Sequence, residues 1–209
     1  IFKNGLRTNH QLGLSGGTAQ TKYAISAGYF DETGVFPGLS FHRFSFKVSV
    51  DQQLGKIFKV GISSLNSVSR TNGEGINPVS QALLSSPLTV PYDAAGNLIP
   101  FPGGGSLIYN PLANLVPGAV VQNRTRYNTF TTAYAEAQFT PHLKYRFNGG
   151  VELTPETYGD FYGSTTFQNL SGPSTARNSN YDYRNFTLEN LIVYENTFAE
   201  NHHVTGTGV

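Results

Sequence analysis

The stretch that decides the fold is residues 41–51, FHRFSFKVSVD. On an extended chain His42, Phe44, Phe46, Val48 and Val50 fall on one face. Phe41, Arg43, Ser45, Lys47, Ser49 and Asp51 fall on the other. Strand side chains alternate with period 2, and no helical period fits this segment. Residues 143–154, LKYRFNGGVELT, repeat the pattern. Leu143, Tyr145, Phe147, Gly149, Val151 and Leu153 share one face, and Lys144, Arg146, Asn148, Gly150, Glu152 and Thr154 share the other. Both runs exceed the five or six residues typical of strands in soluble sheets.

Weaker alternations surround these two. Leu12 and Leu14 alternate with Gln11, Gly13 and Ser15, and Tyr23, Ile25, Ala27 and Tyr29 alternate with mostly small residues. Phe58, Val60 and Ile62 alternate with Lys59, Gly61 and Ser63. Ala133, Ala135, Ala137 and Phe139 alternate with Tyr134, Glu136 and Gln138. Residues 183–198 are β-prone without a clear division of faces, and a last run starts at His202. The sequence thus predicts about eight strands. Their connections alternate: tight at 16–20, 54–56, 140–142 and 199–201, longer at 31–40, and long at 70–122 and 158–180. Short turns at one end and long loops at the other are the habit of outer-membrane barrels. Tilted strands of about ten residues cross a bilayer core of roughly 30 Å, so the expected fold class is all-β, an antiparallel transmembrane β-barrel.

Composition agrees. Charged residues make up 13% of the 209, about half the usual share of roughly 25%, and aromatics equal them at 13%. That balance excludes a charged disordered tail. A net charge of +1 argues against a nucleic-acid partner, which needs a basic stripe to displace counterions. The absence of Cys excludes disulfides, zinc ribbons and cysteine nucleophiles. No signal peptide is legible, and with no Met the chain is expected to be processed or a piece of a longer one. No apolar run reaches the ~18 residues of a membrane helix, which leaves β-barrels open. Inside the longest connection, Asn77-Pro78 predicts a helix start over residues 78–86. Residues 92–97, YDAAGN, read as a turn or small hairpin.

With these segments in place, the chain resembles the SusC-like family of TonB-dependent outer-membrane transporters of Bacteroidetes. The resemblance rests on the order of many pieces: Ser15-Gly16-Gly17, Thr21-Lys22-Tyr23, Gly28-Tyr29-Phe30-Asp31, Gly34, Phe41-His42-Arg43-Phe44-Ser45 and Val50-Asp51-Gln52. It continues through Lys59-Val60-Gly61, residues 91–97, Asn110-Pro111-Leu112-Ala113, Tyr134-Ala135-Glu136 and Glu189-Asn190. It implies a 22-stranded barrel around a plug. Of that barrel this chain would supply about eight strands in the N-terminal half, with no plug and a cut at Thr207-Gly208-Val209. It further implies energised import of oligosaccharides or peptides across the bacterial outer membrane. The partners would be a SusD-like surface lipoprotein and, through the plug, the TonB complex. No enzyme activity, cofactor or metal is expected. Two alternatives stand beside it: a self-contained eight-stranded outer-membrane barrel with a structural or adhesive role, and a soluble carbohydrate-binding β-sandwich.

Site residues follow from the strand faces and loops. Arg43, Lys47, Lys59, Lys144 and Arg146 are expected on the lumen side, where they would orient a polar substrate or simply keep the wall hydrated. Tyr92, Phe101, Tyr109, Tyr158, Phe161 and Tyr162 are expected in the long extracellular loops. There they would contact substrate or a partner or pack within the loop. Glu152 and Glu156 share a strand face, yet nothing supplies the asymmetry glycoside hydrolysis needs. Glu74, Asp93 and Asp160 lack cation-loop spacing, and adjacent His202 and His203 would point to opposite faces.

Overall fold

The computed structural model describes residues 2–170 and 172–209. Ile1, and Ser171 within the expected 158–180 loop, lie outside the described residues. Eight strands are present: β1 Leu6–Gly17, β2 Thr21–Thr33, β3 Ser40–Leu54, β4 Phe58–Asn72, β5 Val120–Thr140, β6 Leu143–Tyr162, β7 Thr175–Phe198 and β8 His202–Gly208. They form one antiparallel sheet in the order β1 to β8. β1 and β8 are its two edges, so the described strands close no barrel and form no second layer. That removes the closed eight-stranded barrel and the two-sheet sandwich.

Each strand pairs with its sequence neighbour, so successive connections fall at opposite ends of the sheet. Residues 18–20, 55–57, 141–142 and 199–201 make one end. Residues 34–39, 73–119 and 163–174 make the other. The long loops are therefore shorter than the sequence suggests. β6 runs through Tyr162 and β7 starts at Thr175, because cross-strand pairs such as Tyr158 with Ser179 and Asp160 with Arg177 keep both chains extended. α1, Val79–Leu84, is the expected helix shortened at both ends, with the Val79 amide donating to Asn77 Oδ1 at 3.1 Å. Pro155 sits inside β6, where it has no N–H to give the ladder. The β5–β6 pairing lapses beside it, between Arg126–Glu156 and Thr129–Leu153. There Asn128 Nδ2 donates to Thr154 Oγ1 at 3.0 Å instead.

Register sorts the side chains of all eight strands, including the previously unassigned β7. The apolar face carries Leu12, Leu14, Ile25, Phe44, Phe46, Val48, Ile62, Ala133, Phe147, Val151, Phe186, Leu188 and Ile192. Many of these stand open, Leu188 at 72% exposure. The same face turns polar toward the long-loop end, with Asp31, His42, Arg70, Thr157, Asn180 and Asp182. On β6 the apolar stretch from Leu143 to Leu153 matches the 9–11 tilted residues that cross a bilayer core. β5, with 21 residues, spans about 70 Å and continues well past it. No helix among the described residues is long and apolar enough to cross a membrane.

The buried apolar residues lie mainly at the long-loop end: Ile76, Tyr109, Ala113, Ala119 and Val120. The sheet itself has almost no core. Its apolar face is left open, as expected of strands whose outer solvent is lipid.

Candidate functional site: a polar wall and its loop cap

The face opposite the apolar one is the first element of the site. Arg43, Lys47, Lys59, Lys144 and Arg146 all lie on it by register. They share a face but not one role. Near the short-turn end Tyr134 stands opposite Gly61 and lies across it. A Cβ at Gly61 would sit 2.2 Å from Tyr134 Cε1 and 2.7 Å from Asp51 Oδ1. The Tyr134 hydroxyl donates to Asp51. The Arg146 guanidinium stacks 4.0 Å from the ring centroid, and Lys59 Nζ stands 5.7 Å from it. Arg146 also reaches Glu136 at 3.5 Å and donates to Asn148 Oδ1 at 2.8 Å. Asp51, Lys59, Tyr134 and Arg146 come from four different strands, so the sequence marks Arg146 and Lys59 but not Tyr134 as their anchor.

The remaining expected cations differ. Arg43 lies 5.7 Å from the Phe30 ring. Lys144 faces Gln138 and Val193. Lys47, opposite Ser26 and Leu65, has no counter-ion among the described residues.

The second element caps the long-loop end. Loop 73–119 folds against loop 163–174 around Tyr109, which is 1% exposed. Its hydroxyl donates to the Thr165 carbonyl at 2.6 Å, and its ring packs edge-on to Phe101 and against Phe167. Asn110, equally buried, donates from Nδ2 to the Pro91 and Ile99 carbonyls, both at 2.9 Å, and accepts from the Leu112 amide at 3.0 Å. Asn114 clips the two loops, accepting from the Phe167 amide and donating to Gln168. Gln122, at the start of β5, ties loop to wall. It accepts from the Gly75 amide at 2.5 Å and donates to the hydroxyls of Tyr158 and Tyr162 at 3.0 and 2.7 Å.

The expected loop aromatics therefore separate. Tyr109 is loop core, withdrawn from any contact surface. Tyr158 and Tyr162 belong to β6, not to a loop. They stand on the polar face as hydrogen-bond acceptors for Gln122, while Phe161 points to the opposite face. Burial and the charge of Asp160 push the Tyr162 phenol above its usual range, as does neighbouring Tyr158. Phe101 is half-buried against Tyr109, and Tyr92 is exposed at the base of a small hairpin closed by a Tyr92–Leu98 bridge. In that hairpin Asp93 accepts from the Ala95 and Asn97 amides at 2.9 and 2.8 Å. Hydrogen bonds from Asn97, then those from the Ala95 and Gly96 backbone, hold its carboxyl below the usual carboxylate range.

The acidic residues do not converge on a catalytic or cation site. Glu156 is held by Arg126 at 2.5 Å and lies 3.7 Å from Arg124. Glu74 pairs with Arg124 at 3.0 Å, Asp93 serves its own turn, and Asp160 lies on β6. Among the described residues no group of three metal-ligating side chains forms. His203 pairs with Glu195 at 3.1 Å, and His202 faces the other side. The roles of Asn110, Gln122 and Tyr134 were not legible, because no local motif marks a side-chain amide or phenol that ties segments dozens of residues apart.

No family model matches the chain. It is 28% identical over 95% of its length to TonB-dependent receptor P3 of Formosa agariphila, and 25% identical over 99% to TonB-dependent receptor P39 of the same organism. It spans about a fifth of those receptors, 21% and 20% of their lengths. In fold it matches the RagAB peptide importer in its closed-closed state with a TM-score of 0.77, at 20% identity, over 98% of this chain and 24% of that one. The open-open state gives 0.78 at 19% identity, over 98% and 23%. In sequence the chain is thus similar to a stretch of these TonB-dependent receptors, and its eight-stranded sheet has the fold of a segment of the RagAB β-barrel.

Proposed function

We propose that the chain forms part of the barrel wall and extracellular loops of an outer-membrane transporter, whose work is passage of cargo rather than catalysis. The observation that carries this reading is the two-sidedness of the sheet. One face is largely apolar over a bilayer's depth, the other is largely polar, and every long loop lies at one end. On this reading the polar face, with Arg43, Lys47, Lys59, Lys144 and Arg146, lines the lumen. The loop cap around Tyr109 forms the outer mouth. A SusD-like lipoprotein would dock on that mouth, where Tyr92 is exposed and Phe101 lies half-buried behind it. Energy would come from TonB acting on a plug elsewhere in the polypeptide, and the cargo would be a short peptide or oligosaccharide.

Topology is testable by cysteine labelling once any cysteines outside this chain are replaced, since the chain itself has none. In the full polypeptide that carries this segment, Leu107→Cys, at a position 90% exposed in the long loop, should react with a membrane-impermeant maleimide on intact cells. Lys56→Cys, in a short turn, should react only after lysis. Equal labelling of both on intact cells would overturn the reading, as would cargo uptake indifferent to an uncoupler.

A further inference from the structure

On the polar face one row departs from the rest. Register places Lys47, Leu65, Phe130 and Glu152 side by side on β3, β4, β5 and β6. Most of their neighbours on this face are Ser, Thr, Asn and Gly, as in the adjoining row of Ser49, Ser63, Thr132 and Gly150. Leu65 and Phe130 are 40% and 47% exposed, an adjacent apolar pair midway along a face whose Phe30 and Phe41 lie toward the long-loop end and whose Leu191 and Val193 lie toward the short turns. The charges that flank them are unsatisfied. Among the described residues, neither Lys47 nor Glu152 has an ion pair or side-chain hydrogen bond. Elsewhere on this face Asp51, Glu136 and Glu156 are engaged, while Asp160 stands at the long-loop end, opposite Gln122 and Arg177. Beside the anionic end lies a hollow of about 290 Å³. Its floor is open because Gly150 presents no side chain, and its rim includes Phe130, Glu152 and Asn185.

We propose that this row is a subsite for a dipolar ligand with an apolar centre, its anionic group at Lys47 and its cationic group at Glu152. A short zwitterionic peptide fits that chemistry. Three strand spacings separate the charged ends, about 14 Å, the length of roughly four extended residues. An ammonium at Glu152 would also lie against the Phe130 face, which adds a cation–π contact to the ion pair. A neutral oligosaccharide offers neither charge, so the row favours peptide over glycan. The inference rests on the transporter reading only for the row's placement in a lumen.

The test is binding in detergent by the full polypeptide that carries this segment. The probes are a tetrapeptide with a central leucine, its N-acetylated form and its C-amidated form. The free zwitterion should bind at least about fivefold tighter than either capped form, the scale of one partly solvated ion pair. Lys47→Gln should erase the penalty for amidation and keep that for acetylation. Glu152→Gln should do the reverse. Heat-modifiable migration establishes that each variant is a folded barrel.

Wild-type protein that treats the three peptides alike would overturn the proposal. So would variants that lose barrel stability without changing peptide discrimination, since the charges would then be counter-ions of another segment. Uptake in cells separates the two readings. Uptake without charge discrimination sinks the subsite alone. Discrimination in detergent without energised uptake sinks the transporter and leaves the subsite standing.

Discussion

Replacing Gly61 by Ala should destabilise the barrel through a residue more than seventy positions away. The added Cβ would sit 2.2 Å from Tyr134 Cε1 and 2.7 Å from Cζ, inside van der Waals contact, so the ring must leave. Its departure breaks the hydroxyl bond to the Asp51 carboxylate, a charge-assisted bond of about 1.5–3 kcal/mol. It also unseats Arg146 from its 4.0 Å stack, worth about 0.5–1 kcal/mol at a solvated site. Against this, alanine is better than glycine in a strand by roughly 0.5–1 kcal/mol. The net expectation is a loss of about 1–3.5 kcal/mol, read as a fall in denaturant midpoint at unchanged m-value for the full polypeptide. The decisive control is a cycle with Tyr134→Ser. Once the ring is gone, Gly61→Ala should cost far less, because only the 2.7 Å approach to the Asp51 carboxylate, the movable end of a side chain, remains against the backbone gain. If Gly61→Ala costs the same in both backgrounds, the two residues are uncoupled and the account of Gly61 as the seat for Tyr134 is wrong.

The other predictions concern the cap and the turns. Asn110→Ala removes the donor for two buried carbonyls and the acceptor for the Leu112 amide. It should cost the cap several kcal/mol, seen as rapid proteolysis within residues 73–119 while the barrel's own melting is unchanged. Asp93 has a depressed pKa, so its contribution to the hairpin is full above the ordinary carboxylate range and is lost as pH falls through the depressed value. Amide exchange at Ala95 and Asn97 should accelerate only in that acidic window, and Asp93→Asn should flatten the dependence. Glu200 adopts φ 64°, next to Ala199 at φ 50°, in the left-handed region that costs a side-chain-bearing residue about 1–2 kcal/mol. Glu200→Gly should therefore slow exchange at the Thr197 and His203 amides across the β7–β8 hairpin, whereas unchanged or faster exchange would show that the turn is not strained.

Much of the fold was legible because its signal is local. Period-2 alternation in residues 41–51 and 143–154 depends only on neighbours along the chain, and so does the punctuation of the tight turns. Those two signals were enough to place strands, divide their faces and put the long loops at one end. The 158–180 loop was misjudged because Tyr158, Gly159 and Asn178 look like loop residues one at a time. They are extended because β6 and β7 pair across them, and pairing is not a property of either segment alone. The faces of β7 were unreadable for a related reason. Its outer face changes from Asn178, Asn180 and Asp182 to Phe186, Leu188 and Ile192 along its length, so no single alternation describes it.

What the sequence by itself determined is the strand, its two faces and the end of the sheet at which each loop falls. These follow from backbone geometry and side-chain polarity. What only the tertiary structure decided is which residues meet. Tyr109 became loop core rather than contact surface because loop 163–174 closes over it, and Gln122 became the tie between loop and wall. Lys47 and Glu152 came into one row because register across three ladders brought together residues more than a hundred positions apart. A one-residue slip in any ladder would send one of those charges to the apolar face. Alternation along the chain cannot specify that alignment, because the pairing of strands sets it.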